Sequence, residues 1–132
     1  MTTGPSQNYS SEYLQAADET LEEARTLLTH SLAKGTVNRA YYAMFYAACA
    51  ALLSANVRLP KRHRTIMSLF HQHFVRTERL PQELHQDLVE SYKLRQQSDY
   101  EISAGIGIDE LQTIVDRAEA FVAEVKQSIT KR

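Results

Sequence analysis

The stretch NRAYYAMFYAACAALL, residues 38–53, decides the fold. At 3.6 residues per turn, Val37, Ala40, Tyr41, Met44, Ala48, Ala51 and Leu52 fall on one stripe, and Asn38, Tyr42, Phe45 and Cys49 on the next. One helix therefore has two apolar faces to bury and needs neighbours on both. Its alanines let another helix come close, whereas Asn38, Arg39 and the tyrosine hydroxyls need polar partners wherever they are covered. A second stretch, LRQQSDYE at 94–101, can supply them.

Outward from this helix the whole chain reads as helical. Residues 1–10 are expected to form a flexible tail, and residues 11–132 a single domain. A first helix is expected from about Ser11 to Ala33, with Leu14, Ala17, Leu21, Ala24 and Leu28 at steps of three and four. Lys34 and Gly35 read as its stop, with glycine suited to a left-handed cap, and Thr36 as the cap of the next helix, which runs to about Asn56. So short a connection predicts antiparallel packing. After Pro60, a shorter helix carries Ile66, Leu69, Phe70 and Phe74, and Pro81 opens a fourth through Leu84, Leu88, Tyr92 and Arg95. GIGID at 105–109 is a break. Asp109 with Gln112 has the spacing of a capping box, ahead of a last helix whose broad apolar face includes Leu111, Val115, Ala118, Phe121, Val122 and Val125. The fold class is all-α: an up-and-down four-helix bundle with an additional short helix.

Bulk properties narrow the function. At 132 residues and 43% hydrophobic content the chain supports one substantial core. No apolar run approaches the roughly 20 residues of a membrane span, and MTTGPSQNYS lacks the charged and apolar regions of a secretion signal, so a cytoplasmic location and no membrane association are expected. The single cysteine, Cys49, lies between alanines and reads as a small packed side chain. A net charge of −1 argues against nucleic-acid binding by polyelectrolyte attraction alone. The charge is unevenly spread: Arg58, Lys61, Arg62, Arg64, Arg76 and Arg79 face only Glu78 in the segment 58–79, a local +5 that leaves −6 elsewhere. That segment is either a solvated loop and helix end or a surface for an anionic partner.

Arg95 and Asp99 are four apart and share a helix face, flanked by Tyr92 and Tyr100. An exposed pair at that spacing stabilises a helix by only about 0.2–0.5 kcal/mol, so its interest lies in what it faces. If the second and fourth helices are neighbours, Asn38, Arg39 and Tyr42 meet Arg95, Asp99 and Tyr100 in one polar cleft, with Asp99 orienting an arginine. Such a cleft either binds a ligand or pins the bundle. In the ligand reading Arg95 contacts phosphate, Tyr42 stacks and Asn38 hydrogen-bonds. His71 and His73 are two apart, on nearly opposite sides of a helix, which is poor geometry for chelation, and no metal or cofactor site is expected. His30 and His85 carry no signal. Phosphate-cradling glycine loops are absent from the sequence.

Three stretches in order, NRAYYAMFYAACAALL, then PKRHRTIMSLFHQHF at 60–74, then Arg95, Asp99 and Tyr100, resemble the compact HEPN-domain proteins of bacteria and archaea. Within that resemblance, Lys61 and His63 belong to the family's loop before the third helix and are expected to meet phosphate or cap the helix. Many HEPN proteins are metal-independent RNases that place an arginine, four to six residues and a histidine at a dimer interface. Arg95 matches the arginine, but Tyr100, Glu101 and Ile102 stand where the histidine belongs. A phenol with a pKa of about 10 exchanges protons poorly at neutral pH compared with an imidazole at about 6.5. Loss of a positioned acid–base group removes roughly 100- to 10,000-fold in rate. An RNase built on Arg95, Asp99 and Tyr100 is therefore the alternative, and a purely structural subunit is a third reading. Toxin variants of the family carry a further tyrosine two places after the histidine, and Ile102 falls there. The resemblance also implies a homodimer and a minimal nucleotidyltransferase as protein partner, in a toxin–antitoxin pair with nucleotide or RNA as ligand. The chain has no nucleotidyltransferase glycine–serine loop with paired aspartates, so that chemistry would belong to the partner.

Overall fold

In a computed structural model, residues 5–100 and 105–130 are described, with side chains over 9–99 and 105–130. They form helices α1 (Pro5–Thr29), α2 (Ala33–Ser54), α3 (His63–Phe70), α4 (Gln82–Tyr100) and α5 (Ile108–Thr130), with a π-helical turn at His71–Val75 directly after α3. There is no strand among the described residues.

Helix α2 is the axis of the molecule, as its two apolar faces require. It packs against α1, α5, α4 and α3, and from Ala40 to Ser54 only Tyr42 and Tyr46 are not fully buried. Helix α1 runs antiparallel to both α2 and α5, which leaves α2 and α5 parallel. Ser10 Oγ donates to the Ala50 carbonyl at 2.8 Å, tying the start of α1 to the end of α2. Arg25 pairs with Glu119 at 3.0 Å, and Lys126 with Asp18, setting α5 against α1. Arg117 reaches Asp87 at 3.9 Å and Glu90 at 3.5 Å, which sets α5 against α4. These surface pairs fix register more than they stabilise, since exposed ion pairs contribute about 0–1 kcal/mol each. The stability sits in the interior, where Phe70 stacks on Phe74 at 5.7 Å and on Phe121 at 5.4 Å, all three fully buried.

The all-α bundle matches the sequence expectation, while several helix ends differ. Helix α1 begins at Pro5 rather than Ser11, with proline in the first turn where its missing N–H leaves no bond unmade. It ends at Thr29, and the left-handed residue of the turn is Ser31, at φ 56°. Lys34 and Gly35 are not a stop: both lie in the first turn of α2. Gly35 instead admits a close neighbour, because a Cβ there would sit 2.9 Å from Leu27 Cδ1. Thr36 is not a cap either, since its hydroxyl donates back to the Leu32 carbonyl at 2.8 Å. Asp109 and Gln112 form no capping box. The first helical bond of α5 runs from Leu111 N–H to the Gly107 carbonyl, so Asp109 lies inside the first turn, where a carboxylate complements the helix dipole. Gln112 turns forward to Asp116 at 3.0 Å.

The π turn closes at its end with Arg76 N–H bonded to the His71 carbonyl at 2.9 Å. π geometry is rare and is held by packing. Here the gain is Phe74, fully buried under Phe70 with the Arg79 guanidinium 4.6 Å from its ring centre.

Candidate functional site

Where α2 crosses α4 near the start of α3, the aromatic side chains of α2 converge on a single guanidinium. Arg95 lies 5.3 Å from the Tyr41 ring centre, 5.6 Å from Tyr42 and 5.8 Å from Tyr92, within the range of cation–π attraction. One of its donors, Nη1, is fixed by Asp99 Oδ2 at 3.0 Å. The spacing of four on α4 makes this bond possible, and the Arg95 side chain is only 17% exposed. A guanidinium carries five N–H donors. Among the described residues Arg95 uses one, and its Nε is buried with no partner. The Ser98 hydroxyl, one turn along α4, is likewise buried and unpartnered among them. Leaving a buried donor unpaired costs about 1–3 kcal/mol.

Behind Arg95 stands a second arrangement. Tyr41 is fully buried, and its hydroxyl meets His63 Nδ1 at 2.8 Å. Burial drives the phenol's pKa upward, outweighing the opposing pull of Arg95, so it stays protonated. His63 is pushed the other way, below its ordinary value, by burial first and by the Arg95 charge second. A neutral imidazole is the result near pH 7. The Tyr41 hydroxyl and His63 Nδ1 share one hydrogen bond, and the imidazole tautomer sets which of the two donates. The ring is held flat against Phe45 at 4.1 Å and edge-on to Tyr42 at 5.8 Å.

Tyr42 is half-buried and bridges to the second arginine, its ring centre 5.2 Å from Arg39. Arg39 does not share Asp99. Its Nε donates to Asn38 Oδ1 at 2.9 Å and its Nη1 pairs with Glu23 of α1 at 3.3 Å.

The structure thus brings Asn38, Arg39, Tyr42, Arg95 and Asp99 together through contiguous contacts, with His63 edge-on to Tyr42. Asp99 orients Arg95, one of the two arginines considered for it. The amide oxygen of Asn38 is already engaged by Arg39, which leaves its NH2 for other partners. Lys61 is exposed in the loop before α3 and takes part in none of these contacts. Tyr100 ends α4, but its side chain, like Glu101 and Ile102, lies outside the described residues. Tyr41, Phe45, Tyr92 and Ser98 belong to the site without having been assigned to it. Tyr41 sits in an alanine stripe and is a core residue by burial. The signal available for it was the uncommon doublet Tyr41–Tyr42, which directs one ring inward and the next to the rim.

Cys49 is buried, and burial pushes its thiol up to about 12, so it is packing rather than a nucleophile.

Comparison with known proteins agrees with the helical fold. The family model described as HEPN domain matches residues 10–128. A UPF0332 protein of Gloeobacter violaceus is 40% identical over 67% of this chain and 70% of its own length. Two Methanocaldococcus jannaschii proteins are similar over more of the chain. One, named Putative toxin MJ0605, is 32% identical over 88% of this chain and 85% of its own length. The other, named Putative toxin MJ0142, is 28% identical over 90% of this chain and 80% of its own length. With the family model covering nearly the whole bundle, including every described member of the arginine–tyrosine cluster, this chain belongs to the HEPN-domain family.

Proposed function

We propose that this protein is the nucleotide- or RNA-binding member of a toxin–antitoxin pair, acting as a homodimer with a minimal nucleotidyltransferase. The observation that carries the reading is Arg95: a guanidinium held among three tyrosines, with a buried Nε that has no partner among the described residues. The part of the guanidinium that stays exposed and is not taken by Asp99 is suited to a phosphate, which accepts charge-assisted hydrogen bonds. Asp99 fixes the guanidinium, His63 offers its second ring nitrogen, Nε2, and Tyr42 with Asn38 lines the rim for the nucleoside. The names of the two archaeal relatives support the toxin assignment.

Binding is favoured over RNA cleavage on a chemical ground. A cleaving enzyme needs a proton acceptor beside Arg95, and Nδ1 of His63 is already hydrogen-bonded to the Tyr41 hydroxyl. Affinity purification of the tagged protein from its own cells, followed by native mass spectrometry, tests the proposal. A dimer carrying a nucleotide-sized mass or a nucleotidyltransferase is the expected result. A bare monomer with neither contradicts it. In parallel, structured RNA incubated with the protein and chelator is expected to stay intact, and cleavage lost in His63→Gln would restore the RNase alternative.

A further inference from the structure

Beside the Arg95 cluster, α3 and α4 leave a cleft of about 380 Å³ that the first site does not use. Its walls are basic: Arg64 on α3 and Lys93 on α4 stand on opposite sides, both exposed, and neither has an ion-pair partner among the described residues. No carboxylate lines it among the described residues. Met67, Val89 and the Tyr92 ring give it apolar lining, and His71 and His85, which also line it, meet edge to face at 4.7 Å. Burial and the neighbouring His71 both depress the His85 pKa, so this imidazole is a polar aromatic surface rather than a cation near pH 7. The volume lies at the lower end of the range for small-molecule sites, about 300–1,000 Å³.

The cleft adjoins the first site through one side chain. Tyr92 lines it and also stands 5.8 Å from Arg95, with its hydroxyl fixed by Gln96 Nε2 at 3.1 Å. On α3, His63 belongs to one site and Arg64, its neighbour in the chain, to the other. Two cationic positions flanking an aromatic platform, next to a first phosphate position, form a track for a polyanion with flat bases.

We infer that the α3/α4 cleft is a second nucleotide subsite, in which a base rests on Met67 and Tyr92 and its phosphate lies between Arg64 and Lys93, so that the protein takes single-stranded RNA rather than a mononucleotide as its full ligand. The inference rests on the nucleotide reading of the Arg95 site, and the test separates the two. Adenosine monophosphate is titrated by calorimetry and a fluorescein-labelled five-nucleotide oligoadenylate by anisotropy, each against wild type, Arg95→Ala and the double variant Arg64→Gln/Lys93→Gln. Both residues of the double variant are exposed, so the fold is kept, and circular dichroism checks this. The expected result is mononucleotide binding by the double variant within twofold of wild type, with oligoadenylate weakened at least tenfold. The slope of log affinity against log salt for the oligonucleotide should also fall by about 0.7 for each phosphate that is no longer neutralised. Unchanged oligonucleotide affinity and slope in the double variant, with mononucleotide binding lost in Arg95→Ala, would overturn the cleft while leaving the Arg95 site standing. Equal weakening of both ligands would show one site, not two. A phosphoserine peptide displacing the oligonucleotide at lower concentration than unlabelled RNA would overturn the choice of ligand. Failure of wild type to bind either nucleotide would remove the underlying reading and this one with it.

Discussion

Arg95 carries the functional argument because its surroundings do opposite things to it. The tyrosines attract its charge and Asp99 satisfies one donor, while Nε is covered and left without a partner among the described residues. Asp99 is in this account a positioning residue. Asp99→Asn should change stability by no more than about 0.5 kcal/mol, the scale of an i,i+4 pair, yet weaken nucleotide binding several-fold because the guanidinium is no longer held. Equal binding by Asp99→Asn and wild type in a calorimetric titration would deny it that role. Tyr41→Phe is expected to cost about 1 kcal/mol, the net worth of one hydrogen bond, and to free His63 Nδ1. Urea unfolding measures the first effect, and nitrogen chemical shifts of the imidazole the second, as a change of tautomer balance.

At the scale of elements, periodicity made α2 legible and chain ends obscured its neighbours. Val37, Ala40, Tyr41, Met44 and Leu52 are all buried as their stripe demands, and the i,i+4 spacing of Arg95 and Asp99 disclosed their bond. The stop placed at Gly35 failed because glycine has two uses, a left-handed turn and a close approach, and only the packing of Leu27 distinguishes them. The Tyr41–His63 contact spans 22 residues and joins two helices, so no local pattern announces it. The start of α1 carries its own test: Ser10 is buried, with its hydroxyl on the Ala50 carbonyl. Ser10→Ala should cost about 1 kcal/mol and speed amide exchange in the first turns of α1 while leaving α5 protected. Exchange rising equally throughout would mean that the bond supports the whole bundle rather than one helix end.

For the whole molecule, stability and acid sensitivity follow from what α2 and its neighbours bury. Phe121, fully buried against Phe70, should cost about 3–5 kcal/mol when replaced by alanine, read as a lower urea midpoint. His63 and His85 are both held below the ordinary value of 6.5, so the unfolded chain takes up protons before the folded one. Stability is therefore full above pH 6.5 and falls as pH drops from there toward the folded values. The thermal midpoint is expected to decline on acidification from about pH 7.5 to about pH 5, and His63→Gln/His85→Gln to flatten that decline. The central claim concerns the one guanidinium on which α2, α3 and α4 converge. Its most direct test is calorimetric titration of adenosine monophosphate into wild type and Arg95→Ala, both shown folded by circular dichroism. Heat of binding in wild type and its loss in the variant is the result this account predicts, and identical heats in both, or none in either, would contradict it.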